Sequence, residues 1–413
     1  LGGIGARFGI DLIHLHNVSG CREGLLSALA EVPIPYGYTV HDLNFACPTI
    51  TFLDADGKYC HAVTDAAVCA ACLRAQSEFA GVDIAAWRAG HRALLARAAF
   101  VIAPSQWAAT MLRRYFPEHS VAIVAHGSAH GMPRSDAVYS RLELPDDGVP
   151  TVAVIGAIGA DKGARRLERL VELTRERGRR LRWVLIGYLD TGREQALSAD
   201  GVFAQHGPFD SREIAALLEH YRVRLVAYPS AGPETFSFTL SEAWAAGRPV
   251  VVPPIGALAE RVEASGGGWV LTNEEWRDDA RMLERIEALL APDGGDAYAA
   301  AVGRARATPQ PTLAAMAEAT IAIWRVALAP RAATESTQPI STARCLAALH
   351  YAAWSPARAD APGDAPALSP GPKPNGALAF VARAALSIRH TLPGRVLYRL
   401  APKPLLDALR QRL

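Results

Sequence analysis

The chain has 413 residues, of which 50% are apolar and 20% are charged. This length and apolar content predict a globular protein of about two or three domains. A net charge of +2 excludes nucleic acid as the principal partner, because no general electrostatic field would attract a polyanion. The sequence contains no run of about 18 apolar residues and no signal peptide, and residue 1 is Leu, so we expect a fragment of a longer cytoplasmic protein.

The first domain is predicted over residues 1–127. Its opening strands cover 9–17 and 38–41, and the second of them ends at His41. Because open α/β sheets place ligands at the carboxyl ends of their strands, His41 is a candidate site residue. The alternative is a hydrogen-bonded histidine without a functional role. The other predicted elements are helices at 23–31, 83–98 and 106–115, the last capped by Ser105, and strands at 100–103 and 121–124.

An insertion over residues 45–75 contains four cysteines, Cys47, Cys60, Cys69 and Cys72. The Cys-x2-Cys spacing of the last two fits one tetrahedral metal ion. Stable disulfides are not expected without a signal peptide. We therefore expect a structural zinc site at these four cysteines. Buried free thiols are the second interpretation, and an iron–sulfur cluster is the third.

A second α/β domain is predicted over residues 151–328, after a linker over 128–150 that is rich in Gly, Pro, Ser and Asp. Its first strand, 151–155, runs into a loop that starts at Gly156 and includes Lys162. The glycines of this loop allow the backbone to come close to a ligand, and Lys162 supplies a mobile positive charge. The alternative for Lys162 is a solvated lysine at the start of a helix.

Residues 225–252 predict a parallel βαβ unit, with a Pro/Ser/Gly loop and a helix from near Thr235 to Gly247 between its strands. Glu234 lies in the loop and Glu242 on the helix. The free backbone N–H groups at the helix start can hold a diphosphate without a metal ion, and each carboxylate can accept hydrogen bonds from sugar hydroxyls. The alternative is that one glutamate caps the helix and the other is a surface charge. The residues with these N–H groups are Phe236, Ser237, Phe238 and Thr239.

The C-terminal part of the chain changes in composition. Residues 329–375 are rich in Pro, Ala, Ser and Thr, so we expect a disordered linker. The tail, 376–413, is expected to be helical, and it carries seven Lys or Arg residues and one Asp. Such a tail suits an anionic membrane surface or the next domain of a longer protein. The remaining elements predicted in the second domain are strands at 181–186, 201–207 and 268–271, a glycine turn and helix at 254–260, and helices at 164–177, 212–221 with Ser211 as cap, 273–290 and 297–326.

The stretch that contains both glutamates resembles the signature of retaining glycosyltransferases of family 4, which have the GT-B fold. Its pattern is Pro-Ser-x3-Glu-x-Phe-Ser-x4-Glu-Ala-x3-Gly-x-Pro-Val-Val. The resemblance implies an α/β protein with two Rossmann-like, doubly wound domains that face a cleft. It also implies transfer of a sugar from a nucleotide diphosphate sugar to a hydroxyl acceptor with retention of configuration, without a cofactor for catalysis.

The same resemblance implies roles for individual residues. Glu234 would hold the transferred sugar, Glu242 the ribose, and His41 would contact the donor from the first domain. Lys162 and the N–H groups of the helix start would stabilise the leaving diphosphate. We therefore expect His41, Lys162 and Glu234 to be catalytic. The expected donor-binding residues are Gly156, Lys162, Glu234, Phe236, Ser237, Phe238, Thr239 and Glu242.

The chain departs from the family pattern at two places. Family members carry an Arg in the loop before Lys162, where this chain has Ala157. Their first domain also begins with βα units that are missing here, so we expect an incomplete first domain. Two other functions therefore stay open, a sugar-nucleotide-binding module without transfer and a metal-stabilised interaction module. For the transferase, the expected acceptor is a glycan or a lipid-linked molecule at the inner face of a bacterial membrane, in the synthesis of cell-surface polysaccharide.

Overall fold

The computed structural model of the chain describes five segments, residues 9–18, 34–128, 141–178, 181–291 and 295–329. The helix predicted at 23–31, the linker beyond residue 329 and the basic tail lie outside these segments. The described residues from Asp11 onward belong to one compact unit. Among the described helices, none combines the length and the apolar character needed to cross a membrane.

Within the described residues, the first sheet has four parallel strands in the order β1-β2-β3-β4. All four residues of β2 are buried, because a parallel sheet is covered on both faces. The register aligns Tyr38 of β2 with Val101 of β3, so His41 follows β2 at the carboxyl edge of the sheet. The elements of this domain are β1 (Ile13–Leu15), β2 (Tyr36–Thr39), α1 (Ala66–Arg74), α2 (Ile84–Ala96), β3 (Phe100–Ala103), α3 (Gln106–Tyr115) and β4 (Ala122–Ile123).

The second sheet contains seven strands in the part of the chain that the structure describes, in the order β11-β10-β9-β5-β6-β8-β7. Neighbouring strands are parallel except at the edge, where β7 and β8 are antiparallel. The strands are β5 (Thr151–Ile158), β6 (Arg182–Leu189), β7 (Ala196–Leu197), β8 (Phe203–Gln205), β9 (Val223–Ala227), β10 (Val250–Val252) and β11 (Gly268–Val270).

This second sheet separates two layers of hydrophobic core. Val152 and Val154 of β5 belong to one layer, together with the buried Trp183, whereas Ala153 and Ile155 belong to the other. The alternation follows from the period of two along a strand. Helices on both faces are therefore needed to cover the sheet, as in other open α/β folds.

The helices of the second domain differ from the prediction at two places. The helix predicted over 273–290 is broken at Asp278, whose extended backbone and side-chain carboxylate cap the following helix. The helix predicted over 297–326 is interrupted around Pro309 and Pro311, which lack the N–H group that a helix interior needs. The helices are α4 (Ala164–Glu176), α5 (Ile214–His220), α6 (Phe238–Ala245), α7 (Gly256–Ser265), α8 (Asn273–Arg277), α9 (Asp279–Leu290), α10 (Gly295–Ala307) and α11 (Leu313–Leu328).

Three predicted helix starts can be compared with the structure. Ser105 caps α3, because its hydroxyl accepts the N–H of Ala108 at 3.0 Å, so this prediction is confirmed. The prediction of Ser211 as a cap is wrong, since the Asp210 carboxylate caps the 3₁₀ turn that precedes α5. The start of α6 is later than predicted, because Ser237 has a φ of 71° and leaves the helix to begin at the next residue.

The last helix returns to the first domain. Ser128 forms a parallel bridge with Thr312, and Trp324 of α11 donates its indole N–H to Nδ1 of His14 at 3.1 Å. His14 therefore has its proton on Nε2, which donates to the hydroxyl of Thr39 at 2.7 Å. The predicted α/β architecture with parallel sheets is confirmed, and both sheets are tied together through the end of the described chain.

Candidate active site

A cavity of about 420 Å³ lies between the carboxyl ends of the two sheets. The first domain contributes His41, Asp42 and His126 to its lining, whereas the second contributes Lys162 and the loop before α6. Both contributions come from segments that directly follow strands, which is where parallel sheets expose backbone and polar side chains. The cavity therefore brings together residues from distant parts of the chain.

The start of α6 and the two residues before it border this cavity. Phe236, Ser237, Phe238 and Thr239 all line the cavity. Among the described residues, none of their four N–H groups has a hydrogen-bond partner. Phe236 and Ser237 precede α6, and the first N–H groups of a helix have no carbonyl in helical position four residues before them. N–H groups at such a position carry partial positive charge and bind anions, phosphate in particular.

Glu234 borders the same cavity in the loop before α6. Burial raises the pKa of the Glu234 carboxyl, whereas the Lys162 ammonium, the Ser237 side chain and the Arg261 guanidinium act in the opposite direction. These groups favour the carboxylate, which is the form that accepts hydrogen bonds from hydroxyl groups. The structure thus brings together Lys162, Glu234 and the N–H groups of α6.

Lys162 owes its position to a glycine. Gly163 has a φ of 86°, and a Cβ at this residue would lie 2.0 Å from the carbonyl oxygen of Pro229. Only glycine allows this approach, and the N–H groups of Ala231 and Gly232 donate to the carbonyl of Asp161 at 3.0 and 3.2 Å. The loop after β5 is therefore held against the loop before α6.

The structure does not bring two other predicted residues into the cavity lining. Gly156 does not start the loop as predicted, because β5 continues through it to Ile158; it has a φ of 123°, and a Cβ there would lie 4.0 Å from the Thr239 side chain. Glu242 lies in α6, with no hydrogen-bond partner for its carboxyl among the described residues. Burial raises the pKa of Glu242 to about 7.

His41 is the first of a row of stacked rings. Its Nε2 lies 3.0 Å from Nδ1 of His16, its ring stacks on His126 at 4.9 Å, and His126 stacks on Phe238 at 5.3 Å. Burial lowers the pKa of His41 and, to about 4, that of His126. These imidazoles are therefore neutral at physiological pH and can serve as hydrogen-bond donors or acceptors.

Direct hydrogen bonds join the two domains beside the cavity. The hydroxyl of Thr235 donates to the carbonyl of His41 at 2.7 Å, and the hydroxyl of Ser105 donates to the carbonyl of Thr235 at 2.8 Å. Another contact between the domains comes from α7, where the Glu260 carboxylate accepts hydrogen bonds from the N–H groups of Gln106 and Trp107 at the start of α3.

Several residues of this region were not predicted from the sequence. His16 and His126 were not predicted as site residues, and no signal pointed to Thr235 or Glu260 as contacts between the domains. A His at each of several strand ends is a weak signal that could have indicated that these histidines lie next to one another. The contacts of Thr235 and Glu260 depend on the relative position of two domains, which no local pattern contains.

A second, larger cavity of about 1260 Å³ opens next to the first. The two share Ile50, Thr51 and Asp161 in their linings, so they are neighbours. The larger cavity is lined on one side by the insertion and by Trp87, and on the other side by the start of α4. The insertion therefore forms a wall of this cavity.

The side chains of the four cysteines are not arranged as the predicted zinc site requires. In the described segments, no three His, Cys, Asp or Glu side chains are arranged to hold a metal ion, and the four cysteines are free thiols. Cys47 lies 3.3 Å from the Thr49 hydroxyl, and Cys69 donates to the carbonyl of Val63 at 3.3 Å. Burial also raises the pKa of the Cys47 and Cys60 thiols.

We expect a chelator to leave the stability of the protein unchanged. A structural zinc site contributes folding energy, and its removal would lower the melting temperature by more than about 10 °C. Thermal unfolding after dialysis against EDTA should show a shift below about 2 °C, and elemental analysis should find less than about 0.1 zinc per chain. Stoichiometric zinc together with a large chelator effect would contradict the free-thiol interpretation.

Comparisons with known proteins bear on the second domain and on the fold. Residues 149–292 match the model of the family described as Glycosyl transferases group 1. No curated protein is significantly similar to the chain in sequence. The solved sucrose-phosphate synthase of Thermosynechococcus elongatus is similar with a TM-score of 0.55 at 20% identity, over 79% of this chain and 76% of that chain.

Anabaena HepE is a second structural relative. Its complex with UDP has a TM-score of 0.51 at 16% identity, and its complex with UDP-glucose has a TM-score of 0.50 at 17% identity. Each covers 78% of this chain and 80% of that chain. The chain thus has the fold of GT-B glycosyltransferases, and its residues 149–292 are similar to the family described as Glycosyl transferases group 1.

Proposed function

We propose that the protein transfers a sugar from a nucleotide diphosphate sugar to a hydroxyl group of an acceptor, with retention of the anomeric configuration. The observation that carries this proposal is the start of α6, where backbone N–H groups without partners among the described residues belong to the lining of a cavity bordered by Lys162, Glu234 and His41. This arrangement offers positive charge for a diphosphate and a carboxylate for sugar hydroxyls in one place. The UDP and UDP-glucose bound to HepE support the same class of donor.

In this proposal the diphosphate lies at the start of α6, beside Lys162. The bond between the anomeric carbon and a diphosphate oxygen breaks, and negative charge grows on the diphosphate. The N–H groups and the Lys162 ammonium stabilise that charge, which lowers the barrier without a metal ion. Glu234 accepts hydrogen bonds from hydroxyls of the transferred sugar, and His41 reaches the donor from the first domain.

Glu242 has the role of a ribose ligand. Its carboxyl is partly buried, has no hydrogen-bond partner among the described residues and has a pKa of about 7. Two ribose hydroxyls would supply the hydrogen bonds that favour the carboxylate form. The nucleoside would then extend along α6, past Gly156, where the absence of a side chain leaves room for it.

The acceptor would enter through the larger cavity, which adjoins the donor cavity at Ile50, Thr51 and Asp161. Its hydroxyl oxygen forms the new bond to the anomeric carbon, and its proton passes to the leaving diphosphate. Bond formation on the side from which the diphosphate leaves gives retention. We propose a glycan or a lipid-linked acceptor, with a role in bacterial cell-surface polysaccharide synthesis.

We place this reaction in the cytoplasm, at the inner face of the membrane. The support for this location is the sequence of residues 376–413, which carries seven basic residues and one acidic residue. Such a tail is attracted by anionic lipid headgroups, and lipid-linked acceptors are exposed at the same surface.

A second candidate is a sugar-nucleotide-binding module that does not transfer the sugar. It is favoured by Ala157, an exposed residue at the position where the resembling family has a phosphate-binding Arg. This candidate predicts the same binding of the nucleotide but no turnover of any nucleotide sugar.

Calorimetric titration tests the proposal directly. We expect UDP or GDP to bind with a dissociation constant between about 1 µM and 1 mM, the usual range for such substrates. The matching monophosphate should bind at least about tenfold more weakly, because it lacks the second phosphate that reaches the N–H groups of α6. Absence of binding by both diphosphates would overturn the proposal.

Turnover separates the two candidates. Incubation with UDP- and GDP-sugars should release the nucleoside diphosphate, and NMR of the product should show the anomeric configuration of the donor. Binding without release in the presence of varied acceptors would favour the binding module, and an inverted product would contradict retention.

A further inference from the structure

Arg261 lies behind the start of α6, on the side away from the proposed donor. It belongs to α7 and has no assigned role in the site described so far. Its Nη1 donates to the carbonyls of Phe236 and Ser237 at 2.9 and 2.8 Å, and its Nη2 donates to the hydroxyl of Ser241 at 2.7 Å. One guanidinium therefore joins the loop before α6 to the first turn of that helix.

Two aromatic rings hold the guanidinium in this position. Its carbon lies 4.1 Å from the centroid of the Phe236 ring and 5.4 Å from that of the Trp244 ring. Burial lowers the pKa of Arg261 to about 10, and the nearby Glu234 and Glu260 act in the opposite direction. The side chain remains charged at neutral pH and binds the carbonyls as a cation, which makes the hydrogen bonds strong.

The loop that Arg261 binds separates two cavities. Phe236 lines the donor cavity on one side and a cavity of about 620 Å³ on the other, and Arg261 itself lines the second cavity. A continuous hydrophobic core therefore does not support the loop from behind. Ser237 has a φ of 71°, which non-glycine residues rarely adopt, so this conformation needs support from its neighbours.

Peptide geometry connects the carbonyls that Arg261 holds with the N–H groups that face the donor cavity. In a planar trans peptide the C=O of one residue and the N–H of the next point in opposite directions. The carbonyl of Phe236 shares its peptide with the N–H of Ser237, and the carbonyl of Ser237 shares its peptide with the N–H of Phe238. A cation that holds both carbonyls on one side must direct both N–H groups to the other side.

We propose that Arg261 is a positioning residue of the donor site, which fixes two peptide groups so that their N–H groups point at the diphosphate of the nucleotide sugar. This inference rests on the proposed function for the identity of the ligand. The orientation of the two peptides, however, is a property of the protein without ligand and can be measured separately.

The experiment compares Arg261→Met, Arg261→Lys and, as a matched control, Arg182→Met. Arg182 is also buried and also donates to backbone carbonyls, those of Gly201 and Pro145, but it lies away from the donor cavity. Two quantities are measured for each protein. One is the dissociation constant of UDP or GDP, and the other is the hydrogen exchange of the backbone amides over residues 234–241 without nucleotide.

Arg261→Met should weaken nucleoside diphosphate binding by about tenfold or more, because charged hydrogen bonds that orient the N–H groups are lost. It should also increase amide exchange over residues 234–241. The dissociation constant and the amide exchange of Arg261→Lys should lie between those of Arg261→Met and the wild type, since an ammonium keeps the charge but not the fork geometry. Arg182→Met should leave both quantities within about twofold, even if it lowers the melting temperature.

The outcomes distinguish the inference from the proposed function. If the wild type binds no nucleotide, the proposed function fails, and the exchange measurement alone decides on Arg261. If Arg261→Met has the nucleotide affinity and the amide exchange of the wild type, the positioning role is overturned. Should that variant not fold, Arg261→Lys decides in its place, and unchanged affinity with unchanged exchange would overturn the inference.

Discussion

Replacing Glu234 by Gln is expected to lower the rate of sugar transfer by about 100-fold or more. Gln keeps the shape of the side chain but loses the charge that accepts hydrogen bonds from the sugar, whose hydroxyls interact more strongly as the transition state develops positive charge. The dissociation constant of the nucleoside diphosphate should stay within about threefold of the wild-type value, because Glu234 contacts the sugar and not the nucleotide. Steady-state kinetics and calorimetry measure the two effects.

The control for this variant is Glu263→Gln on α7. Glu263 has an exposed side chain, so the substitution removes the same charge without reaching the cavity. A loss of turnover by Glu263→Gln of similar size would point to net charge and not to a sugar contact. Equal turnover of Glu234→Gln and the wild type would show that the assignment of Glu234 is wrong.

Replacing Glu242 by Gln is expected to stabilise the fold and to weaken nucleotide binding at the same time. The pKa of Glu242 is raised from 4.5 to about 7 by burial. Between these values the folded protein keeps a proton that the unfolded chain has released, so the wild-type stability falls as the pH rises from about 4.5 to 7. Gln has no such proton, and Glu242→Gln should be more stable than the wild type by about 1–3 kcal/mol at pH 8 and nearly equal to it at pH 4.

The effect on binding has the opposite sign. The wild type should bind UDP or GDP more tightly as the pH rises through about 7, because the Glu242 carboxylate is the better acceptor for ribose hydroxyls. Glu242→Gln should bind about tenfold more weakly at pH 8 and should lose this pH dependence. Denaturant unfolding and calorimetry at pH 5, 7 and 8 give both quantities. Unchanged affinity in the variant would contradict the ribose assignment.

The sequence allowed the local elements and one face of the candidate site to be predicted. The strand before His41 and the first part of the strand that contains Gly156 are buried runs, and open parallel sheets bind their ligands at the carboxyl ends of such strands. The signature around Glu234 and Glu242 belongs to one continuous stretch, so its helix start could be located to within a few residues. These features depend on neighbours in sequence.

The remaining features depend on contacts between distant segments. The carbonyls held by Arg261 and the helix start capped by Glu260 lie in other elements, one of them in another domain, so neither role has a local signature. For the cysteines, the spacing and the side-chain positions point in different directions. Their spacing indicated zinc, but the structure gives Cys47 and Cys69 hydrogen-bond partners in the protein. Spacing along the chain does not determine where the sulfur atoms point.

The contacts of Thr235 have a consequence for the exchange of ligands. This residue is bonded through its hydroxyl to the carbonyl of His41 and through its carbonyl to the hydroxyl of Ser105. Any hinge motion that separates the two domains breaks both of these hydrogen bonds, at a cost of about 1 kcal/mol each. The same motion releases the segment next to Glu234, so, if the proposed function holds, the nucleotide would leave in the same movement that loosens its binding loop.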